Sequence, residues 1–172
     1  MLAHPSPESY LPIALDRHGM TTARLISPEE MVFDPRTQLK CSWGCSGGAG
    51  FGVKCRHPRG SHGERVEMIR AYSKILLLHG RDSRAMSRAV VDIEGRAFLD
   101  GHHLAFGIRY CNLCPHCAVD RGEPCVQPQK IRPCEVAFGI DVYATARNLG
   151  LPCAPLKERK DSPNWYGFVC IC

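Results

Sequence analysis

Four of the chain's eleven cysteines fall in one short stretch: Cys111, Cys114 and Cys117 at C-x2-C-x2-C spacing, closed by Cys125. Three thiols spaced this way can wrap one face of an iron–sulfur cube. Each two-residue gap lets the backbone curl round the cluster with its N–H groups facing sulfur. A fourth thiolate a few residues on completes the set. Zinc ligands more usually come as two C-x2-C pairs separated by a longer loop. The run therefore predicts one 4Fe–4S cluster held by Cys111, Cys114, Cys117 and Cys125. The competing reading is a zinc knuckle with one spare thiol, and visible absorbance separates the two.

A chain of 172 residues reads as one domain, long enough to bury roughly 70% of the surface its unfolded form exposes. It needs no cysteine staples to hold a core, so the excess of cysteine is chemical in purpose. No apolar run approaches a membrane span, and Met1 to Tyr10 lacks a basic region followed by an apolar one. The chain reads as cytoplasmic, where thiols stay reduced and clustered cysteines bind metal more often than they pair. An odd number of cysteines also leaves one over in any disulfide scheme. The net charge of +5 is spread along the sequence. With no basic run and no aromatic-rich strand pair, no nucleic-acid partner is expected.

Met1 to Gln38, broken by Pro5, Pro7, Pro12, Pro28 and Pro35, reads as an N-terminal segment of limited structure, and 39–172 as a single cysteine-rich metal-binding domain. Met31-Val32-Phe33 is expected as a short strand. Cys41 to Gly60 is glycine-rich and reads as an irregular loop. Ser61 and Glu64 form a capping-box pair, and Val66, Ile69 and Tyr72 follow at helical spacing. Ile75 to Leu78 reads as a buried strand closed by Gly80. A second helix is expected from about Asp82 to Phe98, with Met86, Val90, Ile93 and Ala97 as its apolar stripe. Gly101 ends it, and Leu104, Phe106 and Ile108 alternate as a half-buried strand leading into Cys111. Pro133 opens a short helix, Asp141 caps another running to Asn148, and Trp165 to Ile171 forms a last strand. The sum is an α+β fold, a small sheet with helices packed against it and cysteine-rich loops at its margin.

A second group, Cys41, Cys45 and Cys55, lies in the glycine-rich loop. Glycine lets backbone come close to a bulky ligand. Three thiolates without a local fourth leave two readings open. Either a distant cysteine closes a second cluster, or one iron keeps an open position for an outside ligand. Arg56, His57 and Arg59 stand near Cys55 and could orient an anion there. Of the remaining thiols, Cys170 and Cys172 share one face of the last strand, roughly 7 Å apart. They are either a source of the missing ligand or small buried hydrophobes. Cys134 is placed to compete with Cys125, and Cys153 has no assigned role. His116, inside the metal loop, reads as a surface residue.

From Lys40 onward the chain resembles the domain-of-unknown-function family 2284, a family of predicted metal-binding proteins. The resemblance rests on Leu39-Lys40-Cys41-Ser42-Trp43-Gly44-Cys45, the Cys55 region, Tyr72 to His79 and Ala97-Phe98-Leu99-Asp100-Gly101. It continues through Cys111, Cys114, Cys117 and Cys125, then Arg132-Pro133, Gly139 to Thr145 and Asn164 to Val169. It implies metal binding through Cys41, Cys45, Cys55, Cys111, Cys114, Cys117 and Cys125. Cys134, Cys170 and Cys172 stand where the family usually has serine or apolar residues, so this chain carries extra thiols. The resemblance supplies no reaction.

Three functions follow as expectations. The first is a 4Fe–4S electron carrier or redox accessory protein with a partner protein. The second is an enzyme using the open iron of a three-cysteine cluster on a sulfur-containing or small anionic ligand. The third is a zinc-binding scaffold.

Overall fold

In a computed structural model that describes residues 4–44, 60–154, 156–158 and 161–172, the run Ile75-Leu76-Leu77-Leu78 forms the centre of the molecule. All four side chains are fully buried. They belong to β2 (Ile75–Gly80), an inner strand of a four-stranded antiparallel sheet in the order β1-β2-β4-β3. β1 is Thr22–Ile26, β3 Phe106–Ile108 and β4 Trp165–Cys170. A strand covered on both faces reads as an unbroken apolar run, and its alternation shows only in the partners. Leu76 and Leu78 join one core with Val169 and Ile171. Ile75 and Leu77 join the other, where Leu77 and Ile108 flank Phe168 across the strands.

Helix α4 (Ser83–Leu99) covers the first face. Asp82 caps it by accepting from the Ala85 N–H at 2.7 Å. Met86, Val90, Ile93 and Ala97, the stripe read from the sequence, are all fully buried. The second face carries α3 (His62–Arg70), a 3-10 turn at Glu135–Phe138 and α5 (Val142–Asn148). Ser61 and Glu64 form their capping box at the start of α3, and Asp141 caps α5 through the Ala144 N–H at 2.9 Å. The α+β architecture is thus a sheet between two helical layers.

Four local expectations are corrected. Of the Met1–Gln38 segment, the described residues 4–38 are more ordered than its prolines suggest. Over Pro7–Arg17 a 3-10 turn, the short α1 (Tyr10–Pro12) and a π-helical turn follow one another, burying Tyr10 and Ala14 completely. β1 then adds an edge to the sheet, Thr22 opposite His79 and Ile26 opposite Ile75. Met31-Val32-Phe33 makes only an isolated bridge, Phe33 to Ile140, because the Ser27 capping box turns the chain into a 3-10 helix just before it. Leu104 is 81% exposed and lies outside β3, which begins at Phe106. Pro133 also stands one residue outside the turn it was expected to open, with Cys134 at the cap.

α4 approaches the sheet closely enough to need glycine beneath it. A Cβ on Gly167 in β4 would lie 2.8 Å from a Val90 methyl, and one on Gly107 in β3 would lie 2.6 Å from the other. Val90 is β-branched and stiff at χ1 in a helix, so it cannot swing aside. Gly107→Ala is expected to cost about 1–3 kcal/mol by overpacking, read as a lower urea midpoint. An unchanged midpoint would show that α4 can lift off the sheet without cost.

Candidate metal centre

Arg109 fixes the root of the cysteine loop, one residue beyond β3. Its backbone N–H donates to the Pro133 carbonyl at 2.9 Å. Its guanidinium donates to Ser83 Oγ at 2.8 Å, the Tyr166 carbonyl at 3.3 Å and Glu135 Oε1 at 3.4 Å, and lies over the Trp165 ring. Both Arg109 and Glu135 are buried. Burial pushes the Glu135 carboxyl above the usual carboxylate range, against the pull of Arg109. One side chain thus ties the loop to α4, to β4 and to the 3-10 turn on the opposite layer.

Ser87 holds the next step. Its Oγ accepts from the Asn112 N–H at 3.2 Å and lies 3.1 Å from the carbonyl oxygens of Tyr110 and Ser83. The two peptide groups flanking Cys111 are therefore anchored to α4. After Cys117 the chain reverses: the Ala118 carbonyl accepts from the N–H groups of Arg121 and Glu123, and Gly122 takes a φ of +76°. That left-handed residue returns the chain toward the loop and brings Cys125 to the other three thiols.

Cys111, Cys114, Cys117 and Cys125 line a single small pocket with Asn112, Leu113, Val119 and Ile131. All four are free thiols and half-buried. Burial raises the Cys111 pKa, the Leu113 N–H opposes it, and the other three thiols raise it further. That mutual repulsion is what a bound cation relieves, since ligating sulfur must be thiolate. Gln127 supplies more donors. Its backbone N–H points to Cys125 Sγ at 3.5 Å and its side-chain amide lies 3.8 Å from Cys114 Sγ. The donor set is soft sulfur with N–H groups aimed at it, which suits thiophilic iron or zinc. Among the described residues no three cysteine, histidine or carboxylate side chains converge as the ligands of one ion would.

The structure does not bring Cys41 into that pocket. It is buried in a π-helical turn, Lys40–Gly44, which follows the short α2 (Thr37–Leu39) and packs against the 3-10 turn capped by Cys134. Cys45 and Cys55, with Arg56, His57 and Arg59, lie outside the described residues. Cys170 is fully buried among Ile75, Phe168 and Ile108, and burial pushes its thiol up to about 12. It is a small core residue on the described geometry. Cys172 is exposed past the end of β4, with the Ser73 hydroxyl 3.8 Å from its sulfur. Cys153 packs against the second core, and His116 is exposed.

Ser87, Arg109 and Gln127 escaped the sequence reading. Ser87 did leave a signal, a polar residue on the buried side of α4 between Met86 and Val90. Nothing in the sequence marks Arg109 or Gln127.

These features describe a cysteine-lined pocket, a candidate metal site, mounted on the edge of an α+β sheet. The family described as predicted metal-binding protein (DUF2284) matches residues 24–171, and the chain belongs to it. No curated protein and no solved structure matches the chain. Among the described residues no helix is long and apolar enough to cross a membrane.

Loss of the Ser87 hydroxyl frees both peptides beside Cys111. Ser87→Ala is expected to lower metal affinity about tenfold or more, in the range seen for outer-shell partners. Competition against a chelator reads this directly, and unchanged affinity would show that the loop holds its own shape.

Proposed function

We propose that Cys111, Cys114, Cys117 and Cys125 bind one 4Fe–4S cluster and that the protein acts as an electron-transfer or redox accessory protein. One observation carries the reading: the three thiols at C-x2-C-x2-C and Cys125 line one and the same pocket. A 4Fe–4S cluster takes one thiolate per iron, and the C-x2-C-x2-C run lets three thiols reach one face of it, whereas zinc ligands more usually come as two C-x2-C pairs. Bound there, a cluster supplies reversible one-electron chemistry.

The residues of this chain then have definite parts. The four thiolates neutralise and hold the irons. The Leu113 and Gln127 N–H groups donate to sulfur, which favours the more reduced, more negative state and raises the potential. Arg109 and Ser87 keep the loop from rearranging between oxidation states. Pro115 and His116 lie exposed on the rim, where a redox partner protein can approach. A second cluster, at Cys41, Cys45 and Cys55, remains part of the proposal, as does a cytoplasmic, reducing location.

Strictly anaerobic purification is expected to give a brown protein with iron and acid-labile sulfide in equal amounts. Cys114→Ala should remove at least four irons per chain, with the fold retained by circular dichroism. Colourless protein carrying stoichiometric zinc would overturn the cluster and leave a zinc scaffold.

A further inference from the structure

A second, larger cavity of about 840 Å³ opens on the other side of the cysteine loop. It lies between the outer face of α4, the N-terminal helical segment and the loop itself. Its size falls within the roughly 300–1,000 Å³ of small-molecule sites. Its lining is strongly one-signed: Arg17, Arg88, Arg96 and Lys130 face one carboxylate, Asp92.

That carboxylate is already engaged. His18 Nε2 lies 2.9 Å from Asp92 Oδ2, and Arg17 reaches the same oxygen at 3.5 Å. Arg96 spends only its Nε on Asp100, at 3.0 Å. The side chains of Arg88 and Lys130 have no hydrogen-bond or ion-pair partner among the described residues. Like charges held around a shared hollow repel one another unless an anion lies between them. The wall also carries apolar side chains, among them Val91, Leu113 and an 80% exposed Leu99. A large exposed leucine beside unpartnered cations suits a molecule with both characters.

The cavity also shares a wall with the metal centre. Leu113 and Cys114 line both hollows, and Gln127, on the wall of the larger one, is the residue whose amide lies against Cys114 Sγ. A molecule seated in the cavity therefore touches the group that donates to the metal-binding sulfur.

We propose that this cavity binds a small organic anion, a phosphate or carboxylate head on an apolar body, and holds it against the Cys114 and Gln127 side of the metal loop. The head lies between Arg88 and Lys130, and the body lies along Leu99, Val91 and Leu113. The site goes beyond the cluster reading and does not depend on which metal the loop carries.

The test is calorimetric titration of the full chain, as purified anaerobically, with 1-naphthyl phosphate and 1-naphthoate. Saturable binding of one molecule per chain is expected for at least one of the two, and the arm that binds tells a phosphate site from a carboxylate one. The double variant Arg88→Glu and Lys130→Glu alters only exposed side chains. It should weaken binding about tenfold or more with unchanged metal content and circular dichroism. Binding should also shift the visible or EPR spectrum of the metal centre through Gln127. Absence of saturable binding by both probes would overturn the proposal, as would equal binding of uncharged 1-naphthol or an undiminished affinity in the double variant. Metal content is read separately, so a protein without iron that still binds the probe would sink the cluster and leave the cavity standing.

Discussion

The contact of α4 with the two glycines beneath it sets the position of almost everything else. Gly107 and Gly167 let the helix settle until Val90 touches both β3 and β4. That depth puts Ser83 within reach of Arg109 and Ser87 within reach of Tyr110 and Asn112. A helix held farther out by side chains on those strands would leave the cysteine loop attached only at its ends. The packing of the core and the geometry of the metal site are therefore one problem.

The loop itself follows a simple division of labour. The sheet and α4 fix Cys111, the C-x2-C-x2-C spacing carries Cys114 and Cys117 round the pocket, and the turn at Gly122 returns Cys125. Buried thiols beside one another are costly to ionise, as the raised Cys111 shows. Their N–H donors and a bound cation offset that cost together. The same loop offers its other surface to the cationic cavity, so a bound anion and the metal centre would be separated by little more than Gln127 and Cys114.

Much of this was legible in the sequence because local signals agreed with the tertiary packing. The Ser61–Glu64 and Asp82 caps, the stripe from Met86 to Ala97 and the run from Ile75 to Leu78 each have one physical interpretation. The N-terminal segment was misjudged for the opposite reason. Thr22-Ala23-Arg24-Leu25-Ile26 is an edge strand whose exposed Arg24 and half-buried neighbours give no clean alternation, and five prolines nearby suggested irregular chain. The strand becomes visible only through its partner β2. Cys170 and Cys172 share a face by strand periodicity, but Cys170 lies under the second core while Cys172 lies past the strand end. Periodicity assigns a face and cannot say what covers it. Beside local bonds to Ser83 and Cys125, Ser87, Arg109 and Gln127 make contacts 13 to 57 positions away in the chain, a distance no local pattern spans.

The chain belongs to a family of predicted metal-binding proteins, and an iron–sulfur cluster is the occupant proposed for its four pocket-lining thiols. X-ray absorption at the iron edge of anaerobically purified protein tests that most directly. The expected spectrum has a first shell of sulfur alone and a second shell of iron neighbours, and Cys125→Ala should diminish both. Sulfur ligation found instead at the zinc edge, with no iron bound, would contradict the account.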